Sequence, residues 1–234
     1  MVVRGTRQGR TVVASAARGA DGRRRTPCSR TLDGSGGAEV PSGWKATYDH
    51  LIADPLPYPD PPLGGATFRL RPFVHDDFEA AVRFATEPAT ARWVPPLPAS
   101  DPAGVIEFFE LYRRNGDLLH LVIADLGNDA YLGEVMVAVG EHRVGEFGVG
   151  VVAEARCLGI ATEAFCTFVN WTAATLDIQR MQVLVAPENG AALRIAELAG
   201  FEREGLLRSY WEHDGKRSDA VMLSQLPTDL GSMS

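Results

Sequence analysis

Three apolar runs, LLHLVIAD (118–125), YLGEVMVAV (131–139) and EFGVGVV (146–152), follow one another with five or six residues between them. No other feature constrains the fold as much. Parallel neighbours need a crossover of about a dozen residues or more, so runs this close must pair antiparallel. The intervening LGND and GEHRVG are rich in turn formers, and an antiparallel meander is predicted.

Around the meander, TFRLRP alternates as a strand, and DDFEAAVRFATE predicts a helix with Asp76 or Asp77 at its cap. Ser100 stands as cap before DPAGVIEFFELYRRNG, with Pro102 in the first turn and Gly116 at the end. After the meander, Ala161, Ala164, Phe165, Phe168, Val169 and Thr172 fall at helical spacing. RMQVLVAP predicts a buried strand, NGAALRIAELAG a helix closed by Gly200, and GLLRSYWEHDGKRSDAVMLSQL a hairpin turned at HDGK, where His213 and Asp214 read as turn residues. Helices alternate with strands only in part, so the expected class is mixed α/β with one central sheet.

The flanks differ from this core. Residues 1–43 hold eight arginines against Asp21, Asp33 and Glu39 and show no apolar periodicity. They are expected to be disordered, as a dispensable extension, a basic interaction arm or a transit peptide. Residues 44–66 read as a linker or strap, because five prolines in ADPLPYPDPPLGG enforce extended backbone. The folded domain is expected over 67–226, with a flexible end at 227–234. Of the chain's 30 acidic side chains, 27 lie beyond residue 43, against 15 basic ones, a balance that repels nucleic acid and suits a cationic amine. No apolar run approaches the roughly 18 residues of a membrane helix, and no signal sequence is evident, so a cytoplasmic protein without membrane partners is expected. Cys28, Cys157 and Cys166 form neither a disulfide framework nor CxxC spacing, and the five histidines are scattered, so no metal is expected.

The chemistry begins in ARCLGIATEAF (155–165). A strand passing through a short loop into a helix leaves several N–H groups unpaired at the positive end of the helix dipole. That is an anion site worth about 0.3 to 1 kcal/mol per charge when exposed and about 2 when partly buried. Arg156 adds a cation, while Gly159 and Ala161 keep the backbone accessible. Alone, the motif also fits an ordinary helix start.

A second set, Pro187, Glu188 and Asn189, ends the next strand. With it, Arg156-Cys157-Leu158-Gly159-Ile160-Ala161 resembles the R/Q-x-x-G-x-G/A acyl-coenzyme A loop of the GNAT superfamily of N-acetyltransferases. PENGAALRIAELAGFEREG resembles that family's following segment. FRLRPFVHDDFEAAVRFATEP and LRSYWEHDGKRSDAVMLSQL resemble the opening and closing elements of its ribosomal-protein branch, so the likeness covers Thr67 to Leu226. It implies a central sheet of about seven strands flanked by about four helices and splayed between the fourth and fifth strands. It further implies a diphosphate on the amides of Cys157, Leu158, Gly159, Ile160, Ala161 and Thr162. The pantetheine arm would lie along Val149, Gly150 and Val151, with Asn189 hydrogen-bonded to it. Where the family usually has Gly, this chain has Cys157, which is expected to weaken cofactor affinity if φ is positive. A nucleophilic Cys157 is the competing reading; Cys166, between Phe165 and Phe168, reads as packing.

The implied activity is transfer of an acetyl group from acetyl-CoA to a primary amine. At pH 7 a lysine amine costs about 4.6 kcal/mol to deprotonate and an α-amine about 1.1, so a weak base suffices for the latter. Glu146 matches the family's base position; its competing reading is a strand-end carboxylate in solvent, and Glu134 is the reserve. The ribosomal-protein branch commonly has a Ser three residues after the Asn, but here that position is Ala192, which leaves water or Tyr210 to protonate the sulfur. Tyr210 otherwise packs beside Trp211. Trp93, Phe108 and Phe109 line an acceptor pocket or belong to the core, and His120 is a satisfied polar group or a proton relay. The acceptor is a protein N-terminus or a small cationic amine. Left open are a longer acyl chain, a non-catalytic acyl-CoA-binding module, and a monomer or homodimer.

Overall fold

The computed structural model describes residues 6–7, 10–11, 54–94, 96–213 and 215–230. Within the tail, Thr6–Arg7 pairs antiparallel with Arg10–Thr11. The expectations for the rest of 1–53, for Asp214 and for 231–234 lie outside the described residues.

Seven strands form one sheet: β1 (Phe68–Arg71), β2 (Leu118–Asp125), β3 (Tyr131–Val139), β4 (Val144–Val151), β5 (Arg180–Val185), β6 (Glu202–His213) and β7 (Lys216–Gln225). Their spatial order is β1-β2-β3-β4-β5-β7-β6. The meander β2-β3-β4 is antiparallel, and only β4 and β5 run parallel. The helix α4 (Ile160–Thr175) supplies the crossover that this pair requires.

Helices α1 (Phe78–Thr86), α2 (Pro88–Ala91) and α3 (Pro102–Arg114) precede the meander. Phe84 of α1 and Val105 of α3 pack with Phe73, Val122, Ala124 and Tyr131 over one face of the sheet. On the opposite face, α4 and α5 (Gly190–Leu198) close the larger core, in which Phe147 of β4 meets Phe165, Phe168 and Phe201. Strand alternation therefore sends Phe147 toward α4 and turns Glu146, Gly148 and Gly150 to the face carrying α1.

Several local expectations change. The cap of α3 is Asp101, not Ser100: its Oδ1 accepts from the Gly104 N–H at 2.9 Å. Asp77 stands at the N-cap of α1 as expected, but its carboxylate makes no cap bond to that helix and closes the preceding turn, accepting from the Val74 N–H at 2.8 Å and from Arg71 at 2.7 and 2.9 Å. In α4 the buried stripe starts at Ile160 instead of Ala161, so Ala161 lies half-exposed in the first turn. The short helix α2 is an addition, and the flexible end expected over 227–234 is instead helical at α6 (Pro227–Leu230), where Leu230 packs on the main core.

The proline-rich segment lies along α3 and β1. The Leu56 N–H donates to the Arg113 carbonyl at 2.9 Å, and Arg113 Nη1 returns a bond to the Leu56 carbonyl at 2.5 Å. The Tyr58 hydroxyl donates to Glu110 at 3.3 Å under the Arg113 guanidinium, and the Leu70 N–H reaches the Leu63 carbonyl at 2.7 Å.

Candidate active site

Where β4 meets β5, the ladder is short. Val144, Gly145 and Glu146 pair with Arg180, Met181 and Gln182, and no rung follows, while β4 stays paired to β3 as far as Val151. Val149, Gly150 and Val151 therefore border an opening between the two strands. Gly150 is required there by close approach: a Cβ would stand 2.6 Å from Phe84 Cζ.

Beyond Val151 the chain makes one turn, Ala153–Ala155, and enters the loop before α4. Cys157 has φ +60° and Gly159 φ +82°, both left-handed. Among the described residues, no group accepts from the main-chain N–H groups of Cys157, Leu158, Gly159, Ile160, Ala161 or Thr162. The first N–H of the helix to find an acceptor belongs to Glu163, which donates to the Gly159 carbonyl at 3.0 Å. Six consecutive donors at the positive end of a helix form a concave anion cradle, and left-handed residues are what bends such cradles. This geometry fits a diphosphate.

Arg156 departs from its expected role as a free cation. Its Nη1 donates to Glu87 Oε1 at 3.0 Å, and its Nη2 donates to Glu87 Oε2 and, at 2.9 Å, to Thr90 Oγ1. The guanidinium in turn holds the Glu87 carboxyl below its ordinary range. The cradle's attraction for an anion thus comes from its amides and the helix dipole.

Glu146 is 8% exposed, which overturns the reading of a carboxylate standing in solvent. Gln182 Nε2 lies 3.5 Å from its Oε2, on the last rung before the strands part. Glu134, opposite Gly150 in the β3–β4 register, is also buried and is tied to neighbours: His120 Nε2 lies 3.0 Å from its Oε2 and the Tyr131 hydroxyl donates to it at 3.2 Å. Burial, with the Glu134 charge beside it, pushes the Tyr131 phenol well above its usual range, so it stays a donor. His120 stacks on Phe109 at 3.9 Å, and its Nδ1 is buried without a partner. It is thus only half satisfied, and Phe109 is half-buried, packed against the core cluster of Phe84 and Val105.

The remaining candidates scatter. Asn189 Oδ1 caps α5 by accepting from the Ala192 N–H at 3.2 Å, which turns the expected pantetheine ligand partly into a helix cap. Tyr210 is 44% exposed on a bulge of β6, edge-on to Trp211. Trp211 joins Leu184, Ala186 and Ala220 in a third apolar cluster, against which Trp93 packs. Phe108 lies against Tyr112 at 4.4 Å. Burial raises the Cys166 thiol, as packing implies. Cys157 is exposed, and with Arg156 committed to Glu87 its nucleophile reading loses the neighbouring cation it relied on.

Sequence reasoning missed Glu87, Thr90 and Gln182. Pro88 at the first position of a helix was a signal for Glu87; nothing local marks Gln182, whose place depends on the β4–β5 register. Among the described residues, no group of three or more His, Cys, Asp or Glu can hold a metal, and no helix is long and apolar enough to cross a membrane.

A family model for the acetyltransferase (GNAT) domain matches residues 67–202. The chain belongs to the GNAT acetyltransferase family. It is 32% identical over 68 residues to an N-acetyltransferase named p20 from Bacillus licheniformis; the match covers 29% of this chain and 38% of that relative's length. Two solved structures share the GNAT fold. One is a ribosomal-protein-S5-alanine acetyltransferase from Vibrio fischeri, with TM-score 0.62 and 18% identity over 72% of this chain and 97% of that one. The other is a spermidine N-acetyltransferase from Vibrio cholerae in complex with CoA and spermine, with TM-score 0.58 and 18% identity over 70% and 98%.

Proposed function

We propose that this GNAT domain transfers an acetyl group from acetyl-CoA to a primary amine, either a protein N-terminus or a small cationic amine. The observation that carries this reading is the run of six N–H groups without acceptors, Cys157 to Thr162, placed at the mouth of the β4–β5 opening. Acetyl-CoA supplies the acetyl thioester and its sulfur leaving group. The amides of 157–162 hold the diphosphate, and Val149, Gly150 and Val151 guide the arm along β4 and hydrogen-bond it through main-chain groups. Asn189, with one Oδ1 bond committed to its helix, offers the arm its Nδ2 and the remaining Oδ1 lone pair.

Glu146 is the base. It shares the α1 face of β4 with Gly150, it is buried, and Gln182 is the side chain that orients it. Holding donor and amine together in this opening supplies most of the rate enhancement, since proximity alone is worth about 7 to 11 kcal/mol at its upper range. The excess of acid beyond residue 43 favours cationic acceptors of either class, and the two acceptor classes in the structural neighbours' names are the first to screen. Tyr210, on its exposed bulge, is proposed as proton donor to the sulfur only through water.

The test pairs binding with turnover. Calorimetry measures CoA binding, and thiol release is followed with Ala- and Ser-initiated tetrapeptides, spermidine and an aminoglycoside. Binding together with turnover of at least one amine supports the reading. Binding without turnover on any of them replaces it with a non-catalytic acyl-CoA-binding module, and failure to bind CoA removes the cradle assignment.

A further inference from the structure

The segment from Phe84 to Trp93 crosses the β4–β5 opening on the face opposite α4. At one end Phe84 covers Gly150 of β4. At the other, Trp93 packs on the cluster of Leu184 from β5, Trp211 from β6 and Ala220 from β7. Between them, Glu87 and Thr90 form a compact knot. Thr90 is 6% exposed, its hydroxyl donates to Glu87 Oε2 at 2.9 Å, and its carbonyl accepts from the Trp93 and Val94 N–H groups at 2.7 and 3.1 Å. Arg156, distant in sequence, binds both carboxylate oxygens of Glu87 and the Thr90 hydroxyl. A bidentate guanidinium–carboxylate pair fixes orientation as well as distance. Arg156 sits at the start of the amide cradle and Glu146 lies on the crossed face, so this one ion pair ties the segment over the opening to the cofactor loop.

We propose that Arg156 and Glu87 form a positioning clamp that holds the Phe84–Trp93 segment across the opening and so sets the amine's approach to Glu146, leaving the diphosphate to the loop amides. The inference rests on the cradle and base assignments made above. Arg156 then acts on the acceptor side through Glu87 and contributes little to cofactor affinity.

The variants Glu87→Gln, Arg156→Gln and the exchanged pair Glu87→Arg/Arg156→Glu separate the outcomes. Hydrogen exchange over residues 86–94, measured without ligand, is expected to speed up about tenfold in each single variant and to return toward wild type in the exchanged pair. With the amine probes named above, KM for the amine is expected to rise about fivefold in Glu87→Gln with kcat within about twofold, and the exchanged pair restores it. CoA affinity of Glu87→Gln stays within about threefold. Tighter CoA binding in Glu87→Gln by about fivefold or more overturns the clamp, because it makes Arg156 a diphosphate ligand that Glu87 restrains. Unchanged exchange over 86–94 in both single variants overturns it as well. If the wild type acetylates none of the probes, the transferase reading fails, while the clamp is still decided by exchange and CoA affinity.

Discussion

Replacing Cys157 by glycine isolates the one non-glycine left-handed residue in the cofactor loop. At φ +60°, an L-residue with a Cβ carries about 1 to 2 kcal/mol of strain that glycine does not. Glycine returns about 0.5 to 1 kcal/mol of that gain through the greater freedom of its unfolded state. The thiol is exposed, so no burial is lost. At the midpoints of these ranges the net stabilisation is about 0.75 kcal/mol, or about 1.5 to 3 °C in Tm for a chain of this length. Thermal unfolding of wild type, Cys157→Gly and Cys157→Ala checks it. Alanine removes the thiol but keeps the Cβ, and its Tm stays within about 1 °C of wild type. A loop that holds this geometry before the cofactor arrives puts the cost of the positive φ on folding rather than on binding. The condition set for weakened cofactor affinity, a positive φ, is met; with a loop formed in advance, CoA affinity moves by no more than about threefold in Cys157→Gly. A Cys157→Gly protein that melts no higher than Cys157→Ala refutes the strain argument. A gain in CoA affinity of about tenfold refutes the claim that the loop is formed in advance.

Glu146→Gln is expected to lower kcat by about a hundredfold and to remove the acidic limb of the pH–rate profile, followed by thiol release; an unchanged profile excludes Glu146 as base. Gly150→Ala drives a methyl against the buried Phe84 ring and is expected to cost about 1 to 3 kcal/mol in urea unfolding. Glu110 offers a test by pH: Arg113 and then Arg114 hold its carboxyl down at about 2, against an ordinary 4.5. Its folded-state value is depressed, so its contribution to stability is complete above the ordinary value and is lost as pH falls toward 2. The denaturation midpoint of Glu110→Gln should therefore lie below that of wild type at pH 7, with the gap narrowing at about pH 3. A gap that is constant with pH excludes this ion cluster as its source.

Much of the scaffold was legible because its signals are local. The meander follows from turn residues and short spacing, and α4 from apolar residues three and four apart. Small shifts, such as Asp101 in place of Ser100 and Ile160 in place of Ala161, come from neighbouring residues that serve a cap or a core stripe equally well by pattern. The cradle was legible as a motif, since its donors are backbone groups whose availability depends on a strand–loop–helix order. Side chains that act through partners were not. Arg156 looked like a free cation because Glu87 and Thr90 lie more than sixty residues away. Glu146 looked solvent-facing because the rung that pairs it with Gln182 exists only when β4 meets β5 in this register.

The sequence by itself determined the order of the seven strands and four longer helices, the antiparallel centre and the position of the amide cradle, because periodicity, turn chemistry and the unpaired donors of a helix start are properties of contiguous residues. Tertiary structure alone decided which charges are available. It buried Glu146, engaged Glu134 with His120 and Tyr131, and neutralised Arg156 on Glu87, because burial and ion pairing depend on which distant strands and helices come within about 4 Å.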